Sequence, residues 1–167
     1  MTLGRSMERS RGQALVEFAL VAPLLILLLL SIIEFGRAVY YIQMLDNAAR
    51  EGARYAIVHG AASGCPSGPM PTGPNACDPG GAYVEDTVKR YAIAIIDSND
   101  AAFTVVRKWC PRDEPDCASQ AGLGNGDNGR GQQAYVEVHY TFHSFLSTYL
   151  PIPTFNLTGR TTLVVNH

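Results

Sequence analysis

The chain has 167 residues, 47% of them hydrophobic and 17% charged, enough for one ordinary domain plus an appendage. A formal net charge of −2, with no basic patch interleaved with aromatics, gives no basis for nucleic-acid binding. No repeat of helical-array or propeller period is present.

Residues 1–12 are short, polar and basic and read as a leader. From Ala14 to Gly36 only Glu17, Ser31 and Glu34 interrupt an apolar run. A bilayer core needs about 20 apolar residues in a helix. The spacing therefore predicts a helix that begins near Gln13 and crosses the membrane over 13–36, bent locally by Pro23. Two other readings compete. A buried core helix conflicts with Leu24 to Leu30, which are apolar on every face, in a chain too small to wrap them. A cleaved secretory signal needs a small-x-small site after the run, and Gly36-Arg37-Ala38 places an arginine in it. Arg5, Arg9 and Arg11, opposed only by Glu8, put the N-terminus on the cytoplasmic side and the chain from about 37 onward outside.

Helical spacing continues through 37–58. Leu45, Ala48, Ala49, Gly52 and Ala56 share one face, with Asn47, Arg50, Glu51 and Arg54 opposite. Asp46 and Arg50 stand in the favourable order for an ion pair, worth about 0.3–0.5 kcal/mol. A helix over 13–58 is expected to reach roughly 70 Å at 1.5 Å per residue. Its small residues admit close approach of another backbone, either this chain's own sheet or a neighbouring subunit. Gly60 is a plausible stop.

Residues 60–82 form a Gly/Pro loop. A second, amphipathic helix is expected over 83–97, with a stripe of Val84, Val88, Ala92 and Ile95 and acids Glu85 and Asp86 in its first turn. Strands follow within 102–166. Phe103, Val105, Arg107 and Trp109 alternate with Thr104, Val106 and Lys108. Val136, Val138, Tyr140 and Phe142 share one face of AYVEVHYTF, with Tyr135, Glu137, His139 and Thr141 on the other. Leu157 to Val165 is the last strand. The fold class is α+β: a long N-terminal helix, a second helix, and an antiparallel sheet of about three strands in an outer domain, 37–167.

Cys65, Cys77, Cys110 and Cys117 all fall in the outer part, where disulfides persist. Of the three possible pairings, 65–77 and 110–117 are favoured because each closes a short loop. The alternative, a zinc site, lacks paired C-x-x-C units. His139 and His143 are four apart, but on a strand that spacing spans roughly 13 Å, too far for one metal. GLGNGDNGRG, at 122–131, slightly resembles a calcium-binding glycine-aspartate repeat, but a single copy reads as a mobile hairpin loop. Asn156-Leu157-Thr158 fits a glycosylation sequon, a short match that carries no argument by itself. Phe145, Leu146, Tyr149, Leu150, Ile152 and Phe155 make an apolar, proline-broken connection that either covers an end of the sheet or forms an exposed contact patch. No nucleophile, base and orienting group converge in a catalytic motif.

Glu17 is the oddity. It either reaches the headgroups or awaits a cation in the membrane. A cut after Gly12 would supply one: the new amine of Gln13 lies one helical turn away, and the pair would offset part of each other's desolvation cost.

The basic leader ending in Gly12, then four residues, Glu17, the aromatic Phe18 and a hydrophobic run resembles a class III, type IV pilin-like signal. The stretch over about 11–57 is similar to the TadE-like family of pilus-assembly pseudopilins, most specifically in GQALVEFALV and NAAREGARYA. The resemblance implies an inner-membrane protein of the tight-adherence (Flp pilus) machinery. A prepilin peptidase, itself an aspartic membrane protease, cuts after the glycine matching Gly12, and Gln13, Glu17 and Phe18 take part in processing or assembly. Two departures separate the chain from major Flp pilins, which carry tyrosine where Phe18 stands and are very short. The expectation is a minor pseudopilin of TadE type that is no enzyme. It would need no cofactor, metal or small-molecule substrate. Its partners would be the membrane, the peptidase, other pilins and pseudopilins, and inner-membrane platform proteins. The rival is an unprocessed, membrane-anchored domain that binds a glycan or calcium.

Overall fold

The computed structural model describes residues 5–70, 77–92, 102–148, 151 and 153–166. The chain divides into two units, Met1–Arg37 and Ala38–His167.

The first helix, α1, runs from Arg5 to Val58 without interruption at Pro23. It begins eight residues before the expected Gln13. No proline lies between Arg5 and Gly12, and once a helix exists each further residue adds a hydrogen bond without a new nucleation cost. In the first unit the apolar side chains stand exposed, from 39% at Leu30 to 73% at Leu20. The helix is long and apolar enough to cross a membrane, and none of its most apolar stretch is buried. The core-helix reading therefore fails for this segment.

In the second unit, α1 changes character. Leu45, Ala48, Ala49, Ala53 and Ala56 are fully buried. They pack with Val84, Val88 and Ala92 of α2 (Ala82–Ala92) on one face of a sheet. The sheet comprises β1 (Phe103–Cys110), β2 (Gln133–Phe142) and β3 (Phe155–Val164), all antiparallel in the order β1-β2-β3. This is the α+β architecture that the alternating patterns imply. Of the expected second helix, the start agrees within one residue; 93–97, including Ile95, lie outside the described residues.

The small residues of α1 face the chain's own sheet. A β-carbon at Gly52 would meet Val88, Val84 and Val136, and one at Gly159 of β3 would meet the backbone of Leu45 and Asp46. The Asp46–Arg50 ion pair does not form. Asp46 Oδ1 instead accepts the Arg160 amide at 3.3 Å, and Arg50 Nη1 donates to Asn47 Oδ1 at 3.4 Å.

These contacts fix a direction. Tyr41 packs edge-on against Tyr140 and Phe142, with ring centroids 5.7 and 5.6 Å apart. Gly52, three turns further along α1, faces Val136. Travelling outward along α1 thus means travelling backward along β2. The end of the sheet where Phe142 pairs with Phe155 is the end at which the chain enters the unit.

The opposite end is stapled. Cys65 pairs with Cys77 and Cys110 with Cys117, at Cα separations of 5.1 and 5.8 Å. The 110–117 loop folds over Tyr135, which is buried although it faces away from the helices. Lys108 Nζ bonds the Ala118 carbonyl, fixing the loop to β1. The stretch 122–131, expected as a mobile hairpin, is instead anchored. Trp109 N donates to Leu123 O at 2.8 Å, Gly126 N to Trp109 O at 2.8 Å, and Asn128 N to Pro69 O at 2.7 Å. Gly124 and Gly126 lie against the backbone of Trp109 and Cys110, an approach that any side chain would block.

Candidate functional site

The residues singled out for processing sit on consecutive turns of α1. Gln13 Nε2 donates to Glu17 Oε1 at 3.2 Å, on an exposed face. Nothing lies within 4 Å of where a Gly12 side chain would be, and Phe18 is 70% exposed. Leu15, Leu20 and Leu24 are exposed to a similar degree. Glu17 thus stands on an otherwise apolar surface, one turn from position 13. The carboxylate is costly to bring beside hydrocarbon unless a partner compensates it. Here that partner is the neutral Gln13 amide, a weaker companion than a cation.

At the far end of the apolar run, Arg37 Nη1 bonds Glu34 Oε2 at 3.0 Å, and the Glu34 side chain is only 12% exposed. This is the local pair that their spacing suggests. Ser31 Oγ donates to the Leu27 carbonyl at 2.8 Å, so the hydroxyl adds no unsatisfied donor to the apolar run.

The other candidates disperse. His139 lies on the sheet face away from the helices, with Nδ1 3.2 Å from Thr158 Oγ1 and Nε2 3.6 Å from Glu137 Oε2. His143 is exposed beyond the end of β2. Among the described residues, no group of three or more His, Cys, Asp or Glu side chains is placed to hold a metal ion. The cysteines are consumed in the disulfides, which leaves none for zinc.

Two structural groups escaped the sequence reading. Asp78 accepts from Ala82 N at 2.7 Å, Tyr83 N at 2.8 Å and Ser67 Oγ at 2.7 Å, capping α2 from within the Gly/Pro loop. Arg107, on the helix-covered face of β1, donates to Glu85 Oε2 at 2.6 Å and to Gly80 O at 2.7 Å, while Lys89 also pairs with Glu85 at 2.8 Å. Burial alone raises the Glu85 carboxyl, but Lys89 and Arg107 outweigh it and hold the group below the usual carboxylate range. A charged residue in register with Phe103, Val105 and Trp109 was the available signal, because such a charge must find a partner. On the opposite face, burial first and the Glu137 carboxylate second push the Tyr135 phenol up to about 12. It stays neutral at ordinary pH and acts as a packing group there.

Neither a curated protein nor a solved structure matches the chain. The sequence model of the TadE-like protein family matches residues 12–54. That match opens at Gly12, takes in Glu17 and Phe18, and extends through the small-residue face that packs on the sheet. Over this segment the chain is similar to the TadE-like family, to which its two sequence blocks also point.

Proposed function

We propose that this chain is a minor pseudopilin of TadE type, a membrane-anchored component of a Tad pilus that takes part in assembling a Flp-type appendage or a related secretion device. The observation that carries the reading is a coincidence of boundaries. The family match begins at Gly12, where the basic leader ends and the exposed apolar helix begins. The role is structural, and its partners are other pilins and pseudopilins, inner-membrane platform proteins and a prepilin peptidase.

On this reading residues 1–12 are a cytoplasmic leader, 13–36 span the bacterial inner membrane, and 37–167 lie outside it. The excess of arginine before the span supports that orientation. Water adds across the Gly12–Gln13 peptide bond, leaving a carboxylate on Gly12 and an amine on Gln13. The protonated amine then lies one turn from Glu17, its own or a neighbour's. A charged pair replaces the amide contact now seen between Gln13 and Glu17. The scissile bond lies inside α1, so the helix must open there first. Glycine at position 12 eases that opening by about 1 kcal/mol relative to alanine.

The test is N-terminal sequencing of the mature protein after expression with a prepilin peptidase. A new terminus at Gln13, abolished by Gly12→Lys, supports the proposal. A native protein that keeps residues 1–12 in its own host contradicts it.

A further inference from the structure

Within the second unit, α1 and α2 approach each other at Gly52, where a β-carbon would meet Val88 and Val84. Beside that contact both helices turn large side chains toward one groove. Tyr83, Thr87 and Tyr91 recur at four-residue spacing on α2, and Glu51, Tyr55 and His59 do so on α1. These residues line two adjoining cavities of about 560 and 240 Å³, which share Tyr55, Thr87 and Tyr91 and so form one continuous groove.

Two features of the lining are unusual for a solvated helix face. The first is aromatic. Tyr83 is 47% and Tyr91 52% exposed, and Tyr55 stacks on His59 at a centroid distance of 3.9 Å. The second is charge that is balanced but unpaired. Glu51 and Asp86 are acids, Arg54 and Arg90 are bases, and among the described residues none of the four enters an ion pair. The neighbouring Glu85 and Lys89, by contrast, are paired. Burial first, then the Asp78 carboxylate and Tyr83, raises the Tyr55 phenol above its usual value, so it remains a neutral hydroxyl.

That lining discriminates between occupants. Two acids and two arginines cancel, so the groove favours no ion of either sign. An added peptide strand needs open backbone groups to pair with, and helices offer none along their length because theirs are bonded internally. A docked amphipathic helix needs an apolar groove, and burying four unpaired charges under one is costly. A neutral sugar chain meets each feature. Its C–H faces lie flat on tyrosine rings, which present an apolar body and a polar tip. Its hydroxyls both donate and accept, so one sugar can donate to Asp86 or Glu51 and accept from Arg54 or Arg90. Tyr83 and Tyr91 are eight residues apart, about 12 Å along α2, which is longer than a single sugar ring.

We propose that the groove between α1 and α2 binds a neutral oligosaccharide, with Tyr83 and Tyr91 stacking on two of its rings and Asp86 and Arg90 hydrogen-bonding the hydroxyls between them. The groove lies wholly within residues 38–167, so this binding is independent of cleavage at Gly12 and of the membrane span.

Saturation-transfer NMR tests this on the full chain in phospholipid nanodiscs, free of sugar-headed detergent. The probes are cellotetraose, maltotetraose and chitotetraose, with tetragalacturonate as the charged counterpart. At least one neutral probe is expected to receive saturation, and more of it than tetragalacturonate does. Tyr83→Ala, Tyr91→Ala and Asp86→Asn are each expected to weaken that binding about tenfold in titrations, the scale of one lost aromatic or charge-assisted contact. Both tyrosines are exposed, so the fold should survive their loss. Tyr40→Ala removes a tyrosine of similar exposure, 51%, outside the groove and should bind like wild type. No saturation of any neutral probe overturns the proposal. So does preference for tetragalacturonate, which would mean an ionic ligand, or an equal loss in Tyr40→Ala, which would mean non-specific adhesion to tyrosine. Benzoylphenylalanine in place of Tyr91 that cross-links a polypeptide in cells, with no neutral probe bound, assigns the groove to a protein partner and overturns it too.

Discussion

Gly159 of β3 abuts Leu45 of α1 so closely that a β-carbon at 159 would collide with the helix backbone. The obstacle is main chain, which cannot rotate away as a side-chain tip can. The same crossing is where Asp46 receives the Arg160 amide. Helix and sheet are thus held together by the absence of one side chain and the presence of another.

Gly159→Ala is therefore expected to destabilise the outer unit by about 2 kcal/mol, the range of overpacking in a well-filled interior. Gly12→Ala, at a site with open space around it and in the first unit, should leave the unfolding transition of the outer unit unchanged. Unfolding followed by the near-ultraviolet signal of Trp109 compares the two. Equal midpoints for wild type and Gly159→Ala would remove the crossing from the account.

Much of this architecture is legible in period alone. Val136, Val138 and Phe142 alternate inward as the strand pattern requires, and Ala48, Ala49 and Ala56 recur at helical spacing on the buried side of α1. Periodicity did not say what that side would meet, because a stripe of small residues suits a sheet and a neighbouring helix equally. The loops were least legible. Asp78 gives no sign, in a run of Gly and Pro, that it caps α2 from four residues away, nor Asn128 that its amide reaches Ser67 O at 3.0 Å across 61 residues. Such bonds depend on chain paths that only the completed core defines. At Gly12 and Glu17 the geometry adds a helical turn and an exposed face, while the chemistry assigned to them came from the motif.

The Arg107–Glu85 bond links β1 to α2 and should be visible in the pH dependence of stability. The folded-state pKa of Glu85 is lowered, so its contribution is complete above the unfolded value and fades as pH falls through the folded one. Glu85→Gln is expected to cost about 1 kcal/mol at neutral pH, since the groups are partly exposed. Below the ordinary glutamate range, carboxyl and amide are both neutral, and the difference from wild type should shrink toward zero. Urea midpoints at neutral and acidic pH measure this. A gap that stays constant with pH would mean that the bond contributes through shape and not charge.

Reduction of the disulfides should act mainly at the stapled end. Each closes a short loop, and a loop of such length is worth about 2–3 kcal/mol in chain entropy. Replacing Cys110 and Cys117 together by alanine also uncovers Tyr135, which the 110–117 loop shelters. That variant should therefore lose more than the Cys65/Cys77 pair if burial of Tyr135 adds to loop closure. Denaturant midpoints of the two double variants decide the order, and mass spectrometry of exported protein decides whether the bonds exist. Four free thiols in that material would end the argument.

Glu17 offers the sharpest division between a tolerated charge and a used one. In the intact chain it has the Gln13 amide for company, an arrangement that glutamine at 17 would reproduce without a charge. Glu17→Gln should then insert in the membrane at least as well as wild type, because a carboxylate beside hydrocarbon is removed. On the proposed reading, cleavage after Gly12 reverses the balance. The Gln13 amine loses its counter-charge and bears an uncompensated desolvation cost of several kcal/mol in low dielectric. The expected outcome is normal membrane abundance with defective appendage formation, scored by immunoblot of membrane fractions and by electron microscopy of cells. Glu17→Asp keeps the charge on a shorter arm and should restore part of the function. A Glu17→Gln strain that builds appendages like wild type would show that the acid merely reaches the headgroups, and the electrostatic pairing would have to be abandoned.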